Sequence, residues 1–328
     1  MSKSRNGGLD RVLVLEVGRV TEAAAIAAAR LRGRGNEKAA DKAAVDAMRR
    51  ELASLAINGT VVIGEGEMDE APMLFIGEKV GTGQGPEVDI AVDPLEGTTI
   101  CAKSMPNALA VLAISEKGGL LHAPDMYMDK IAIGPGYPQG IVHLDQSTGD
   151  NIRALAKAKG VPVAEITACV LDRPRHADII RAVREAGAAV RLIPDGDIAG
   201  VIWTVDAKET GIDIYLGSGG APEGVLAAAA LRCTGGQIQG RLMPANAEEI
   251  RRAAEMGIPD IKRIFNMEDM ASADVIFSAT GVTDGSLLDG VKFRGDFAET
   301  ETVIKRSKTG TVRRIKTSFR DIGARFPA

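Results

Sequence analysis

The N-terminal part of the chain carries two apolar patterns with helical spacing. Thr21 precedes Glu22 and an alanine-rich run, which predicts a helix that Thr21 caps and that ends near residues 33–35. A second helix is predicted over about 39–57, where Asp41 shares one face with apolar residues at i+4, i+7 and i+11. An aspartate on such a face is unusual. The simplest explanation is an exposed first-turn residue that the helix dipole stabilises.

Short apolar runs predict strands along the rest of the chain. From about residue 149, helices and strands alternate regularly, which is typical of βαβ units with a parallel sheet. We therefore expect a boundary near 145–160 and two domains, 1–155 and 156–328, with the C-terminal strands able to pack back on the first. The predicted strands are 60–63, 88–92, 107–115, 130–133, 167–171, 188–193, 212–216, 273–279 and 299–305, and the later helices are 149–160, 175–186 and 222–233.

Composition fits a globular α/β protein and narrows its partners. Apolar residues make up 45% of the 328 positions and charged residues 26%, enough for a sizeable core. Aromatic residues at 3% and a net charge of −4 argue against a nucleic-acid-binding surface. No apolar run reaches membrane-spanning length, the N-terminus lacks a signal-peptide layout, and the three cysteines show no CxxC spacing. These features favour a cytoplasmic protein that binds no membrane.

The most informative stretch is an acidic turn at 93–98, Asp-Pro-Leu-Glu-Gly-Thr, at the end of the predicted strand 88–92. The proline and the glycine stop the strand, so two carboxylates and a hydroxyl stand where it opens. Neighbouring like charges favour a divalent cation with oxygen ligands. A strand followed by a solvated acidic turn is the alternative.

Acidic residues recur in the same setting, each at the edge of an ordered element beside small residues. If these carboxylates converge, Coulomb repulsion raises some of their pKa values or requires bound cations. Two or three Mg²⁺ or Mn²⁺ ions would neutralise the carboxylates without His or Cys ligands. Separate solvation of each acid is the alternative. The residues are Asp41, Glu65, Asp93, Glu96 and Glu223.

A hydroxyl beside such cations has a use in catalysis. Thr98 can hold a water in line for attack on phosphorus. Asp69 can accept a hydrogen bond from Thr98 or take the proton of the water. Capping of the turn by Thr98 is the alternative.

Three further segments suit a phosphorylated sugar. The glycine-rich segment 217–224 can cradle a phosphate, but Pro222 replaces the third glycine that a dinucleotide site requires. In the turn Arg173-Pro174-Arg175, two arginines can clamp a phosphate. In the turn Asp195-Gly196-Asp197, two aspartates can accept from sugar hydroxyls. Ordinary solvated turns are the alternative for both.

Taken together, these residues resemble the class II fructose-1,6-bisphosphatases of the GlpX type, within the lithium-sensitive, metal-dependent sugar phosphatase superfamily. The resemblance extends from Arg19 to Ile315. Its motifs are the segments 63–67, 69–74, 93–98, 123–128, 173–176, 194–197, 219–224 and 277–283.

The resemblance implies a layered α/β/α/β/α sandwich, with a metal-binding catalytic domain followed by a sugar-phosphate-binding domain. It implies hydrolysis of fructose 1,6-bisphosphate to fructose 6-phosphate and phosphate in gluconeogenesis, with two or more Mn²⁺ or Mg²⁺ ions per site and a homodimer or homotetramer. It assigns Asp41, Glu65, Asp93, Glu96 and Glu223 to the metals, and Thr98 with Asp69 to the attacking water. The implied substrate contacts are Glu96, Gly97, Thr98, Tyr127, Arg173, Pro174, Arg175, Asp195, Gly196, Asp197 and Gly220.

The chain departs from the family pattern at one position. Some members carry a lysine four residues before the helix aspartate, where this chain has Glu37 and the nearest lysine is Lys38. Two alternatives to the main function stay open: hydrolysis of sedoheptulose 1,7-bisphosphate as the main or a second activity, and a sugar-phosphate sensor without turnover. An inositol-phosphate phosphatase is a weaker alternative.

Overall fold

A computed structural model describes Leu9, residues 11–66 and residues 73–325. Helices and two mixed β-sheets confirm the predicted α/β class. Among the described helices, none combines the length and the apolar character needed to cross a membrane. The helices are α1 (Arg11–Ala29), α2 (Glu37–Ser54), α3 (Thr98–Ala102), α4 (Thr148–Lys159), α5 (Ala177–Glu185), α6 (Asp197–Trp203), α7 (Ala207–Thr210), α8 (Ala221–Arg232), α9 (Ala247–Glu255), α10 (Met267–Met270) and α11 (Ile322–Arg325).

The strands are divided between two compact units, which we call unit 1 and unit 2. Unit 1 holds the described residues up to Leu121 and those from Ala271 onward, and unit 2 holds His122–Met270. These limits differ from the predicted division after residue 155. The strands are β1 (Asn58–Ile63), β2 (Lys79–Val80), β3 (Glu87–Glu96), β4 (Leu109–Glu116), β5 (Tyr127–Ile133), β6 (Thr167–Leu171), β7 (Ala189–Ile193), β8 (Ile214–Gly220), β9 (Gln237–Met243), β10 (Phe265–Asn266), β11 (Val275–Gly281), β12 (Lys292–Arg294), β13 (Phe297–Arg306) and β14 (Thr311–Arg320).

Unit 1 is built on an eight-stranded sheet in the order β12-β13-β11-β4-β3-β1-β2, with β14 paired to β13. β1 and β3 run parallel, and the other neighbouring pairs are antiparallel. The alanine-rich sequences of α1 and α2 allow both helices to pack closely, and Ala24, Ala28, Ala40 and Ala44 are fully buried in the core of the unit.

Unit 2 contains a six-stranded sheet in the order β10-β9-β5-β8-β6-β7. β6 runs parallel to β7 and to β8, as the regular alternation of helices and strands predicted. The sheet as a whole is mixed, because β5 pairs antiparallel with both β8 and β9. β5, which precedes the alternating region, runs opposite to β6, β7 and β8, and β9, which is antiparallel to β5, runs in the same direction as β8.

Thr21 is not a helix cap. α1 spans Arg11–Ala29, so Thr21 lies inside the helix and is fully buried. Its hydroxyl donates to the carbonyl of Gly18 at 3.0 Å and shares hydrogen bonds of 2.8 Å with the hydroxyls of Ser278 and Thr280. The threonine therefore binds the sheet, and the helical pattern extends upstream of it.

Candidate active site

Two carboxylates of unit 1 leave neighbouring parallel strands at matching positions. Ile63 on β1 is in register with Ala91 on β3. Glu65 follows Ile63 by two residues, and Asp93 follows Ala91 by two residues. Because the strands run in the same direction, both side chains leave the same edge of the sheet.

The turn after β1 depends on a close backbone approach. The amide of Glu65 donates to the carbonyl of Leu74 at 3.0 Å. A Cβ at Gly64 would lie 1.9 Å from that same carbonyl oxygen, so position 64 has room for glycine alone. This contact fixes the backbone from which the Glu65 carboxylate projects.

The acidic turn at 93–98 is a bulge followed by a helix start. The register of β3 against β4 shifts between Asp93 and Glu96, and Oδ1 of Asp93 accepts a hydrogen bond from the Leu95 amide at 3.1 Å. Gly97 has a φ of +85°, which glycine adopts without strain, and α3 begins at the next residue, Thr98. Glu96 is buried in the bulge, and Thr98 is partly exposed.

The carboxylates of unit 1 influence one another electrostatically. The pKa of Glu65 is raised to about 8, first by burial and then by the negative charges of Asp93 and Asp41. Burial also raises the pKa of Asp41, which α2 carries. At neutral pH, Glu65 therefore favours a bound proton over a third adjacent negative charge, and a cation would relieve the same repulsion.

The chemistry of this donor set fits a hard divalent cation. Carboxylate oxygens are the ligands that Mg²⁺ and Mn²⁺ prefer, and Asp41, Glu65 and Asp93 supply them. Within the described part of the chain, no three His, Cys, Asp or Glu side chains form a closed ligand group. The charges of the three described carboxylates therefore affect one another, although their oxygen atoms do not surround a single position.

The assignments of all these residues stay predictions, and two of the residues are not among those described in unit 1. Asp69, the predicted partner of Thr98, lies outside the described residues. Glu223 is the third residue of α8 and belongs to unit 2. Its assignment to the metals stays a prediction.

Unit 2 brings several of the predicted substrate contacts together. Tyr127 at the start of β5 is in register with Gly220 at the end of β8. The Arg175 guanidinium lies 4.8 Å from the centre of the Tyr127 ring. It also donates to the Ser218 hydroxyl at 3.1 Å and to the Ser218 carbonyl at 2.9 Å. Arg175 is therefore held in one orientation by β5 and β8.

The two predicted turns of unit 2 meet each other. β6 and β7 are parallel neighbours, and the turns that follow them carry Arg173 and Asp195, whose charged groups approach to 3.8 Å. Pro174 begins a short 3₁₀ turn, and Gly196 adopts a φ of +84° before α6. Asp197, at the start of α6, is buried beside Lys130.

Comparison with known proteins places the chain in a family. Residues 11–319 match the family model described as bacterial fructose-1,6-bisphosphatase, glpX-encoded. The chain belongs to the GlpX-type bacterial fructose-1,6-bisphosphatase family. It is 47% identical over 321 residues to fructose-1,6-bisphosphatase 1 class 2 of Escherichia coli K12, an alignment that covers 94% of this chain and 95% of that protein. The identity and both coverages are the same for fructose-1,6-bisphosphatase class 2 of Shigella flexneri.

In this member of the GlpX-type family, sequence reasoning missed a group of residues beneath the predicted substrate contacts. His176 is buried, and its Nε2 accepts from the Ser218 amide at 2.8 Å while its Nδ1 lies 2.9 Å from the Leu171 carbonyl. Burial lowers the pKa of His176. Because Nε2 accepts from an amide, Nδ1 is the nitrogen that donates to the Leu171 carbonyl. The other missed residue is Lys130, a lysine within an apolar strand, and this charge was the available signal.

Proposed function

We propose that this chain hydrolyses the 1-phosphate of fructose 1,6-bisphosphate and releases fructose 6-phosphate and inorganic phosphate. Family membership and relatives that carry this name at 47% identity support the proposal. The observation that carries it is the match of residues 11–319 to this family, in a chain whose Glu65 and Asp93 follow neighbouring parallel strands in register. A buried carboxylate beside two others suits a reaction in which cations offset the charge of a phosphoryl group.

Mn²⁺ or Mg²⁺, two or more per site, would supply the Lewis acidity that activates water and offsets negative charge on the phosphoryl oxygens. Asp41, Glu65, Asp93 and Glu96 would hold these ions. Glu223 is proposed as a further ligand on the family resemblance.

The remaining residues would orient the reactants. The Thr98 hydroxyl, at the start of α3, would align the attacking water, with Asp69 as its acidic partner. The Arg175 guanidinium, which Ser218 and Tyr127 already hold, would bind a phosphate with little loss of side-chain entropy. The carboxylate of Asp197 would accept hydrogen bonds from sugar hydroxyls. Arg173, Pro174, Asp195, Gly196, Gly97 and Gly220 complete the proposed contacts.

The family resemblance also supports the wider setting of this activity. It favours a place in gluconeogenesis, a cytoplasmic location and a homodimer or homotetramer. The oligomer can be measured by light scattering on the purified chain.

Release of phosphate from fructose 1,6-bisphosphate, with and without Mn²⁺, tests the proposal. We expect release that depends on the cation and stops with a chelator. Sedoheptulose 1,7-bisphosphate and inositol monophosphate, assayed at the same concentration, compare the alternative substrates. Binding of fructose 1,6-bisphosphate without release would contradict hydrolysis and favour a sugar-phosphate sensor.

A further inference from the structure

Lys130 is a charged residue buried in the middle of β5. Its side chain is 1% exposed, and the strand residues Met128 and Ile131 beside it are buried as well. The ammonium group forms an ion pair with the carboxylate of Asp197, which is 6% exposed. It also donates a hydrogen bond of 2.8 Å to the carbonyl of Gly220.

One glycine of the segment 217–224 makes room for the pair of Lys130 and Asp197. A Cβ at Gly219 would lie 1.9 Å from Oδ2 of Asp197 and 3.1 Å from Nζ of Lys130. A Cβ at Gly224 would instead meet Sδ of Met128 at 2.7 Å. The absence of a side chain at position 219 is therefore explained by this ion pair, in addition to any approach by a phosphate.

A buried ion pair is a poor way to stabilise a fold, since removal of both charges from water opposes their attraction. Lys130 is therefore better explained by what it holds in place. Its two partners, Asp197 at the start of α6 and Gly220 at the start of α8, are both among the proposed substrate contacts.

We propose that Lys130 is a positioning residue for substrate binding. Its ion pair orients the Asp197 carboxylate as an acceptor for a sugar hydroxyl. This inference rests on the proposed function, because Asp197 is assigned to the sugar there. Lys130 acts through Asp197 and is not itself assigned to the reacting atoms.

Unit 2 contains a second lysine that serves as a matched control. Lys159 pairs with Asp213 at 2.5 Å, and Asp213 is 3% exposed. Asp213 also accepts from the Thr167 amide at 3.0 Å, at the start of β6. This pair is likewise an ammonium on a buried aspartate, but neither member is a proposed substrate contact.

Steady-state kinetics of Lys130→Met, Lys130→Arg and Lys159→Met test the proposal. We expect Lys130→Met to raise KM for fructose 1,6-bisphosphate about tenfold or more, with kcat changed by less than about threefold. Lys130→Arg keeps the charge and should recover at least part of the loss in KM. Lys159→Met should lower the thermal midpoint and leave KM within about twofold of the parent.

A double-mutant cycle with Asp197→Asn shows whether Lys130 acts through Asp197. We expect Lys130→Met/Asp197→Asn to have the same KM as Asp197→Asn alone. Because the double variant leaves no buried charge unpaired, it also replaces Lys130→Met if that variant does not fold. The proposal would be overturned if the effects of Lys130→Met and Asp197→Asn on KM multiplied in the double variant. An unchanged KM in Lys130→Met, or an equal rise in KM for Lys159→Met, would overturn it as well.

Failure of the proposed function would be seen separately. If the parent chain releases no phosphate, hydrolysis is wrong, and calorimetric binding of fructose 6-phosphate then compares the same variants. A loss of fructose 6-phosphate affinity about tenfold or greater in Lys130→Met would support the positioning role without turnover, and equal affinity would overturn it.

Discussion

A single carboxylate shows how the fold changes residue chemistry. Glu65 has an ordinary sequence context, Gly-Glu-Gly, yet its pKa rises to about 8 because burial and the charges of Asp93 and Asp41 act on it together. These residues come from three elements separated by up to about fifty positions. Their residue types could be read from the sequence, whereas their mutual repulsion follows from the register of β1 and β3.

Asp41 on α2 offers a direct test of the carboxylate cluster. We expect Asp41→Asn to lower kcat/KM by about 100-fold or more, because a metal-dependent reaction loses several kcal/mol of charge stabilisation without a ligand. Phosphate release at saturating Mn²⁺ measures this effect.

Asp46→Asn on the same helix is the control. Asp46 pairs with Lys42 at 2.8 Å on the surface, and loss of such a pair has little effect. Equal activities of the two variants would remove Asp41 from the site.

Substitutions of Thr98 distinguish an effect on the chemical step from an effect on substrate binding. We expect Thr98→Ala to lower kcat by about 100-fold with little change in KM, because a group that aligns the attacking water acts in the transition state. Thr98→Ser keeps the hydroxyl and should retain most of the activity. A rise in KM without a fall in kcat would instead assign Thr98 to substrate binding.

Lys130 shows the limit of sequence reasoning at this scale. The sequence places it at the start of an apolar run, and a lysine there is compatible with an exposed strand end. Its burial depends on Asp197 and on Gly219, which lie more than sixty residues away. A charge within a core strand was the signal, but its partner follows from the tertiary fold.

At the scale of elements, most predicted strands and helices agree with the structure to within about two residues, and α1 is the main exception. Apolar runs located β4, β6 and β7 to within about two residues, because each is a short run bounded by turn residues. α1 was missed upstream of Thr21, since the exposed face of that part carries the apolar Val12 and Leu15 beside charged residues, which weakens the contrast between its two faces. Threonine resembles a cap in sequence wherever an acidic residue follows it.

The cap of α2 gives a prediction at the scale of an element. The Asn36 side chain accepts a hydrogen bond from the Ala39 amide at 3.0 Å. We expect Asn36→Ala to lower the free energy of unfolding by about 1 kcal/mol. Because α2 carries Asp41, the variant should also need more Mn²⁺ for half-maximal activity.

Asn246 caps α9 in the same way and serves as the control, with the Glu249 amide at 2.9 Å. Asn246→Ala should show a similar loss in urea denaturation with no change in Mn²⁺ requirement. A shared change in Mn²⁺ requirement would mean that general destabilisation, and not the position of α2, is responsible.

At the scale of the whole molecule, unit 1 joins the two ends of the chain. Glu22 on α1 accepts from the Thr317 hydroxyl at 2.7 Å and from Thr302 at 3.5 Å, and Thr21 bonds Ser278 and Thr280. These contacts span more than 250 residues. Local patterns predicted where strands occur. A domain boundary placed at one point of the chain could not give the limits of unit 1, because that unit is assembled from two distant segments.

This network makes the stability of the fold depend on pH through Glu22. Burial, the largest effect, raises the pKa of Glu22 above its ordinary value of 4.5, although hydrogen bonds from Thr317 and Thr302 oppose the rise. The folded state therefore holds the proton more tightly than the unfolded state. Protonated Glu22 therefore contributes to the free energy of unfolding. This contribution is fully present below pH 4.5 and is lost as the pH rises through the raised pKa.

Glu22→Gln should remove this dependence, because glutamine keeps the shape of the side chain and cannot ionise. We expect the stability of the variant, relative to the parent, to increase between pH 4 and pH 8, as measured by urea denaturation at about half-unit intervals of pH. Glu16→Gln, on the same helix and in a surface pair with Arg19, is the control and should show no such trend. The carboxylates around Glu65 are present in the parent and in both variants, so their effect cancels when the stability of each variant is compared with that of the parent. A constant difference between Glu22→Gln and the parent across this range would mean that Glu22 stays ionised within the network of threonine hydroxyls.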